Sequence, residues 1–333
     1  MVKLMDCTLR DGANVVGKGF DETLTKMMLE GLTSAHVDYI EMGNAGGIGA
    51  YEVAGFTNAL TDEEYLKIAQ PYLSKSHVGM FLNAKRYREK YVQLAAANGM
   101  SFLRVGLDAD EIEPALDAIK AIKANGMQAF YSSMKAYLVT PEELVETAKK
   151  LEAIGLDEFT VMDSAGCMVP EEVAKAMEML KKGVNIPVAF HGHNNLGMSA
   201  ANAMAAYKAG ADILDCGLMG MARSAGNMPT EACAALMHKY GEMTHVDVYK
   251  LLDFIGAELD PAMATGHDYH NPIKPFDLVL GMSGAHSSFG KTFKSVAAET
   301  GVNVYELVME VSKENRKKPS EELIREMAAK LGK

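Results

Sequence analysis

Two short stretches some 180 residues apart hold the residue types that metal-assisted carbon chemistry requires. "HGHNN" carries His191 and His193, and "DCTLRDG" sets Arg10 beside Asp11. In a strand, residues i and i+2 face the same side. Two imidazoles on one face, joined by a carboxylate, make an open metal site with positions left for water and substrate. The HxH pattern alone is read as easily as two unrelated loop histidines. Asp11 at a second strand end favours the metal reading. Arg10 then has a role of its own. A 2-oxo acid held there gathers negative charge on its oxygen as an enolate forms, and a nearby guanidinium stabilises that charge. A salt bridge from Arg10 to Asp11 or Glu41 is the plainer reading, and the two roles are compatible.

Other polar residues fall where strands end. Asp163 could serve as a general base or orienting acceptor, or simply cap the turn that follows it. Lys135 follows a strand, where a Schiff-base lysine could stand, although an exposed loop lysine is the commoner case. Asn44 and Asn227 also follow strands. The glycine-rich "MGNAGGIGA" at 42–50 does not match a phosphate-binding loop and reads as a flexible substrate loop. His36, His77, His238 and His245 fall on helices or at element starts away from these ends and read as structural. His267, His270 and His286 lie in or beside a C-terminal segment that could fold over the site.

These residues need a scaffold that delivers strand ends to one place. Glycines at 99, 126, 155, 183 and 210, spaced 27, 29, 28 and 27 apart, each follow a helix-like run and precede an apolar strand. Glycine suits the left-handed position after a helix. Steady alternation of this kind implies parallel β/α units. Helix starts agree: Thr140-Pro141-Glu142-Glu143 and Thr61-Asp62-Glu63-Glu64 are capping boxes. Leu24, Met27, Met28, Leu32 and Ala35 form one apolar helix face. Strands are expected at about 3–9, 38–43, 77–82, 102–107, 128–133, 158–163, 187–193 and 212–218. Eight units over residues 1–242 make an α/β (β/α)8 TIM barrel, whose function sits at the C-terminal strand ends. A doubly wound sheet is the alternative, and no GxGxxG turn follows strand one. Residues 243–333 are helical in period and read as a C-terminal extension packed on the barrel. "DPAMATGHDYHNPIKP" within them reads as a loop.

The bulk numbers set outer bounds. The 333 residues are 48% hydrophobic and 23% charged, the profile of a globular protein with a sizeable core. A net charge of −11 argues against non-specific binding to nucleic acid or anionic membrane. No apolar run approaches the ~20 residues of a membrane span, and no cleavable signal opens the chain. Cys7, Cys167, Cys216 and Cys233 are isolated and read as buried free thiols, which fits a cytoplasmic location.

The stretches "DCTLRDG", "VMDSAG", "HGHNNLGMSAANAMAAYKAGAD" and "SAGNMPTE" together resemble the DRE-TIM metallolyases, and most of all the 4-hydroxy-2-oxovalerate aldolases. "MSGAHSSFGKTFKSVAAETGVNVYELV" extends the likeness over nearly the whole chain. The resemblance implies a divalent metal, Mn²⁺ or Mg²⁺, on Asp11, His191 and His193, with Asn227 a ligand or a neighbour of one. It implies that Arg10 steadies the enolate and that Ser164 lies near substrate, with Asp163 and Asn14 beside it. The implied reaction is cleavage of a 4-hydroxy-2-oxo acid to pyruvate and an aldehyde through a metal-bound pyruvate enolate. A Claisen-type synthase joining an acyl-CoA to a 2-oxo acid, or a non-catalytic relative, are the alternatives.

The chain departs from the aldolase pattern at three points. Asn14 stands where those enzymes have a catalytic histidine, and an amide is no base at neutral pH. His286 replaces a tyrosine before "SSF" and is the candidate to supply part of the lost proton transfer. "ENRKKPSEEL" replaces the Gly-Gln-Glu-Asp stretch that shapes contact with an acylating aldehyde dehydrogenase, so that partner is not carried over. The expected partners are a small 2-oxo acid and an aldehyde. The subunit count, a homo-oligomer included, is left open.

Overall fold

A computed structural model describes residues 1–332 apart from 273, 286, 316 and 317. Eight parallel strands close into one barrel in chain order. They are β1 (Lys3–Asp6), β2 (Tyr39–Met42), β3 (His77–Asn83), β4 (Phe102–Asp108), β5 (Gln128–Met134), β6 (Glu158–Asp163), β7 (Val188–Gly192) and β8 (Ile213–Cys216). Pairing of β8 with β1, Lys3 opposite Ile213 through Asp6 opposite Cys216, seals the ring. The barrel is the expected one, and the open-sheet alternative falls with its closure. The first strand is shorter than expected, because the chain turns at Cys7: Arg10 and Asp11 both donate their amides to the Cys7 carbonyl.

Local sequence accounts for the helices between the strands. Thr61 and Thr140 each form a full capping box, with Glu64 and Glu143 returning to the cap residue's own amide. Gly99, Gly126, Gly155 and Gly210 take positive φ after their helices, as expected. Gly183 does not. It stays inside the helix Pro170–Gly183, and a Cβ there would stand 2.5 Å from Val145 Cγ1 of the preceding helix. Close helix packing, not chain reversal, requires that glycine.

Beyond the barrel, Leu251, Leu252, Ile255, Leu259 and Met263 join the core that the barrel helices make. Val279, Phe293, Val308 and Ile324 belong to a separate apolar cluster of the last helices. The stretch read as a loop is in part helical: Asp260–His267 continues a π-turn at Ile255–Leu259, and Pro261, which has no N–H to give to the ladder, follows directly on that wider turn. Cys7, Cys216 and Cys233 are buried, but Cys167 is exposed at the mouth, contrary to expectation, because it lies in the turn after β6. Among the described residues no helix is long and apolar enough to cross a membrane.

Candidate active site

The C-terminal strand ends open on a cavity of about 310 Å³, lined by residues that include Arg10, Asp11, Ser164, His191 and His193. The barrel brings these together from β1, β6 and β7. Asp11 Oδ2 lies 3.4 Å from His191 Nε2 and 3.6 Å from His193 Nε2, and all three side chains are buried. Asn227 arrives through a single antiparallel bridge to His193, and its Nδ2 donates to Asp11 Oδ2 at 3.1 Å.

Four buried charges hold this group from behind. Arg10 Nε donates to Glu41 Oε2 at 2.5 Å, and its Nη1 lies 3.2 Å from Asp11 Oδ1. Glu41 Oε1 in turn accepts from Arg104 Nε at 2.7 Å, and Arg104 Nη1 pairs with Asp215. Asp215 Oδ2 meets His191 Nδ1 at 3.0 Å. That contact fixes the ring and leaves Nε2 to face Asp11, the usual way an outer carboxylate orients a metal-binding histidine. Burial disfavours the Asp11 carboxylate, but Arg10 and the histidines reverse the effect and hold it well below the ordinary range. Burial alone would lower His191 too; Asp11 and Asp215 raise it on balance. His193 is pushed down to about 4 by burial and by His191 beside it, which keeps its imidazole neutral.

The residues present fit a divalent cation. His191 Nε2, His193 Nδ1 and Asn227 Oδ1 are buried without a hydrogen-bond partner, as is Arg10 Nη2. Native interiors rarely leave such groups unmet unless a ligand completes them. One carboxylate and two imidazoles also form the mixed oxygen–nitrogen set that suits a metal with open positions. Asp11, His191 and His193 have one donor atom each within 4.8 Å of one another.

The other expected residues divide. Ser164 lines the cavity, and its Oγ accepts from the Lys135 amide at 2.9 Å. Asp163 turns away: its carboxylate accepts from the amides of Met168 and Cys167, at 2.9 and 3.1 Å, so it caps the turn. Asn14 is committed at both ends, donating to the Asp11 carbonyl at 2.9 Å and accepting from Lys18 Nζ at 3.2 Å. Lys135 is ion-paired with Asp108 at 2.8 Å, and that bond raises its pKa, the wrong direction for a Schiff-base amine. Asn44 Oδ1 accepts from the Gly46 amide, shaping the glycine loop. His286 lies outside the described residues. His267 and His270 are exposed and do not line the cavity.

Arg104 and Asp215 were not singled out from sequence, yet both carry a signal: a charge in the middle of an apolar strand, "FLRVGL" and "ILDC". Phe81, under the Arg10 guanidinium at 5.0 Å, Arg86 and Arg223 also went unremarked.

The HMGL-like family model matches residues 1–255 of this chain. The chain is 32% identical to the 4-hydroxy-2-oxovalerate aldolase of Carboxydothermus hydrogenoformans, over 100% of its own length and 98% of the relative's. It is also 32% identical to the enzyme of that name from Moorella thermoacetica, over 99% and 96% of the two chains. Among solved structures, the N-terminal domain of a putative aldolase from Bacteroides vulgatus superposes with a TM-score of 0.67 at 25% identity, covering 80% of this chain and 88% of that one. An HMG-CoA lyase from Bacillus subtilis superposes with a TM-score of 0.68 at 18% identity, covering 81% and 95%, a likeness of fold.

Proposed function

This chain is a member of the HMGL-like family, and from that premise and the site's geometry we infer that it is a divalent-metal-dependent aldolase. It cleaves or forms a 4-hydroxy-2-oxo acid, with pyruvate and an aldehyde on the other side. The observation that carries this reading is the convergence of the buried His191 and His193 imidazoles on Asp11, beside a guanidinium with a free Nη2. Asp11, His191 and His193 would hold the cation, with Asn227 next to them, and Mn²⁺ or Mg²⁺ suits that donor set. A bound divalent cation supplies Lewis-acid polarisation of the 2-oxo group.

The chain's own residues supply the rest. Arg10 is clamped between Glu41 and Asp11, so its free Nη2 is already oriented toward charge that appears only as the enolate forms. A donor prearranged in a buried site needs no reorganisation during the reaction, and loss of one such donor typically costs about 10²–10³ in kcat. Cleavage takes a proton from the 4-hydroxyl, breaks C3–C4 and leaves the bonding pair on pyruvate C3, which is then protonated. Asn14 cannot take that proton, and both of its ends are occupied. His286 is the proposed contributor to this transfer on the sequence pattern.

Exchange of the pyruvate methyl protons in deuterated water, followed by NMR on the metal-loaded protein, tests the enolising site. A mass-resolved screen of aldehydes with pyruvate then tests the aldol step. Exchange and a single-aldehyde adduct are expected. Absence of both in metal-replete protein would overturn the reading.

A further inference from the structure

Arg86 differs from every other cation in the cavity. It follows β3 in the short turn Ala84–Arg86 and lines the same cavity as the Asp11–His191–His193 group. Arg10 pairs with Glu41 and Asp11, Lys135 with Asp108, and Arg223 reaches to 4.0 Å of Asp11. Among the described residues Arg86 has no carboxylate partner. Its Nη2 donates to the Gly46 carbonyl at 2.7 Å, and its Nε is buried with no partner at all. Burial pushes its pKa down, with no neighbouring anion to hold it up. A guanidinium half-withdrawn from water without a counter-charge is a cost to the fold unless a ligand supplies the anion.

Its place in the ring says which part of a substrate would meet it. In a closed ring of eight strands in chain order, β3 stands opposite β7. Arg86 therefore comes from the side of the mouth across from the histidines that would hold the cation. The cavity lining as a whole carries four cations against two carboxylates, in a protein whose net charge is −11. Local positive charge of this kind concentrates anions.

We propose that the aldehyde partner of this aldolase carries its own anionic group, a carboxylate or a phosphate, and that Arg86 is the residue that binds it. The proposal rests on the aldolase reading above and adds the substrate class. In condensation, C3 of the pyruvate enolate bonds to the aldehyde carbon. The carbonyl π pair moves to the aldehyde oxygen, which takes a proton and becomes the 4-hydroxyl. The anionic group stays on the aldehyde's tail, unchanged and held by the guanidinium. A fixed guanidinium suits both carboxylate and phosphate.

Two measurements on the full-length, Mn²⁺-loaded protein test this. The first is binding by calorimetry of 2-oxobutyrate, which has a neutral tail, and 2-oxoglutarate, which ends in a carboxylate. The charged tail is expected to bind about 10- to 100-fold tighter, the range of a charge-assisted hydrogen bond, and Arg86→Gln to erase the difference. Glutamine keeps a donor for Gly46, so the loop is preserved; Arg86→Lys, which keeps the charge, should retain part of the preference. Equal binding of the two acids to the wild type would overturn the proposal. So would an Arg86→Gln protein that loses 2-oxobutyrate and pyruvate as strongly as 2-oxoglutarate, since Arg86 would then serve the 2-oxo acid end. The second measurement is kcat/KM with pyruvate and acetaldehyde, glyoxylate, succinic semialdehyde or glyceraldehyde 3-phosphate. A charged aldehyde is expected to win by a similar factor, its identity separating carboxylate from phosphate. Arg86→Gln should remove that advantage while leaving pyruvate proton exchange unchanged. Preference for acetaldehyde in the wild type would overturn the proposal and leave the aldolase reading standing. Loss of all exchange and adduct formation would remove the aldolase reading, and the calorimetry would still report on Arg86.

Discussion

Around β1, β2, β4, β7 and β8 the charges behind the site touch their opposites: Arg10 with Glu41 and Asp11, Arg104 with Glu41 and Asp215, Asp215 with His191. Across the mouth at β3, Arg86 meets only a carbonyl oxygen among the described residues. The first side is closed electrostatically and fixes geometry. The second is open and waits for charge from outside the protein. Buried ion pairs contribute little net stability, because desolvation offsets their attraction, but removal of one member leaves the other stranded. The paired side should therefore respond to substitution through stability and metal affinity, and the unpaired side through substrate choice.

That contrast can be broken in several places. The largest effect is expected at the metal group itself: Asp11→Asn or His191→Ala should lose bound metal and pyruvate proton exchange together, by at least about 10³-fold in rate, as measured by elemental analysis and NMR. Chelation of the wild type should reproduce that loss. Arg104→Met should come next, destabilising the fold by about 3–5 kcal/mol in denaturant titrations, since Glu41 and Asp215 would keep their charges in a dry interior. Arg86→Gln in the same titration should change stability by less than about 0.5 kcal/mol; a large loss there would erase the distinction between the two sides. Asp215→Asn should weaken metal binding about 10- to 100-fold and destabilise the fold as well, because it removes both the carboxylate that orients His191 and a partner of the buried Arg104.

A separate effect concerns a carboxyl outside both sides. Glu231 is fully buried below the β8 loop, accepts from the Met219 amide at 3.1 Å, and is pushed up by burial to about 7. A raised folded-state pKa means the native protein binds the proton more tightly than the unfolded chain. Stability should be greatest below the ordinary glutamate pKa and fall as pH rises through about 7, by on the order of 2 kcal/mol. Glu231→Gln should flatten that part of the pH profile. A stability that instead rises from pH 5 to pH 7 in the wild type, and is unchanged by the substitution, would show the carboxyl to be ionised throughout.

Much of this was legible in the sequence, for reasons that differ by residue. The strands could be read because each apolar run follows a helix and, in most cases, a glycine that only a left-handed turn requires. His191 and His193 could be read because a two-residue period puts them on one face wherever the strand ends. Arg104 and Asp215 mark themselves as misfits in apolar strands, but the pairing of Arg104 with both Glu41 and Asp215 joins β2, β4 and β8, and no linear pattern reveals which strands face each other inside a ring. Arg86 was hidden by its surroundings. "AKRYREK" reads as a solvated basic turn, and only the cavity shows one of its cations to be turned inward. Asp163 was open to two readings, since a carboxylate at a strand end can serve the turn as well as the substrate, and it is the turn it serves. The helix at Asp260–His267 was obscured by its Pro and Gly, one following a π-turn and the other in the last turn.

One detail of the rim bears on how such a site could change. Gly166, with φ +59°, lies so close to the next loop that a Cβ would stand 2.5 Å from the Asn195 amide nitrogen and 2.7 Å from the His193 carbonyl oxygen. Leu196 donates its amide to Gly166, His193 to Asp163, and Asn194 to Gly226. The loops after β6, β7 and β8 are thus laced by main-chain bonds that no side-chain replacement removes. The β3 turn that carries Arg86 has no part in that lacing. An inherited change there can exchange one acceptor for another while the cation's cradle stays as it was, so the fold separates the part of the reaction it keeps from the part it can trade.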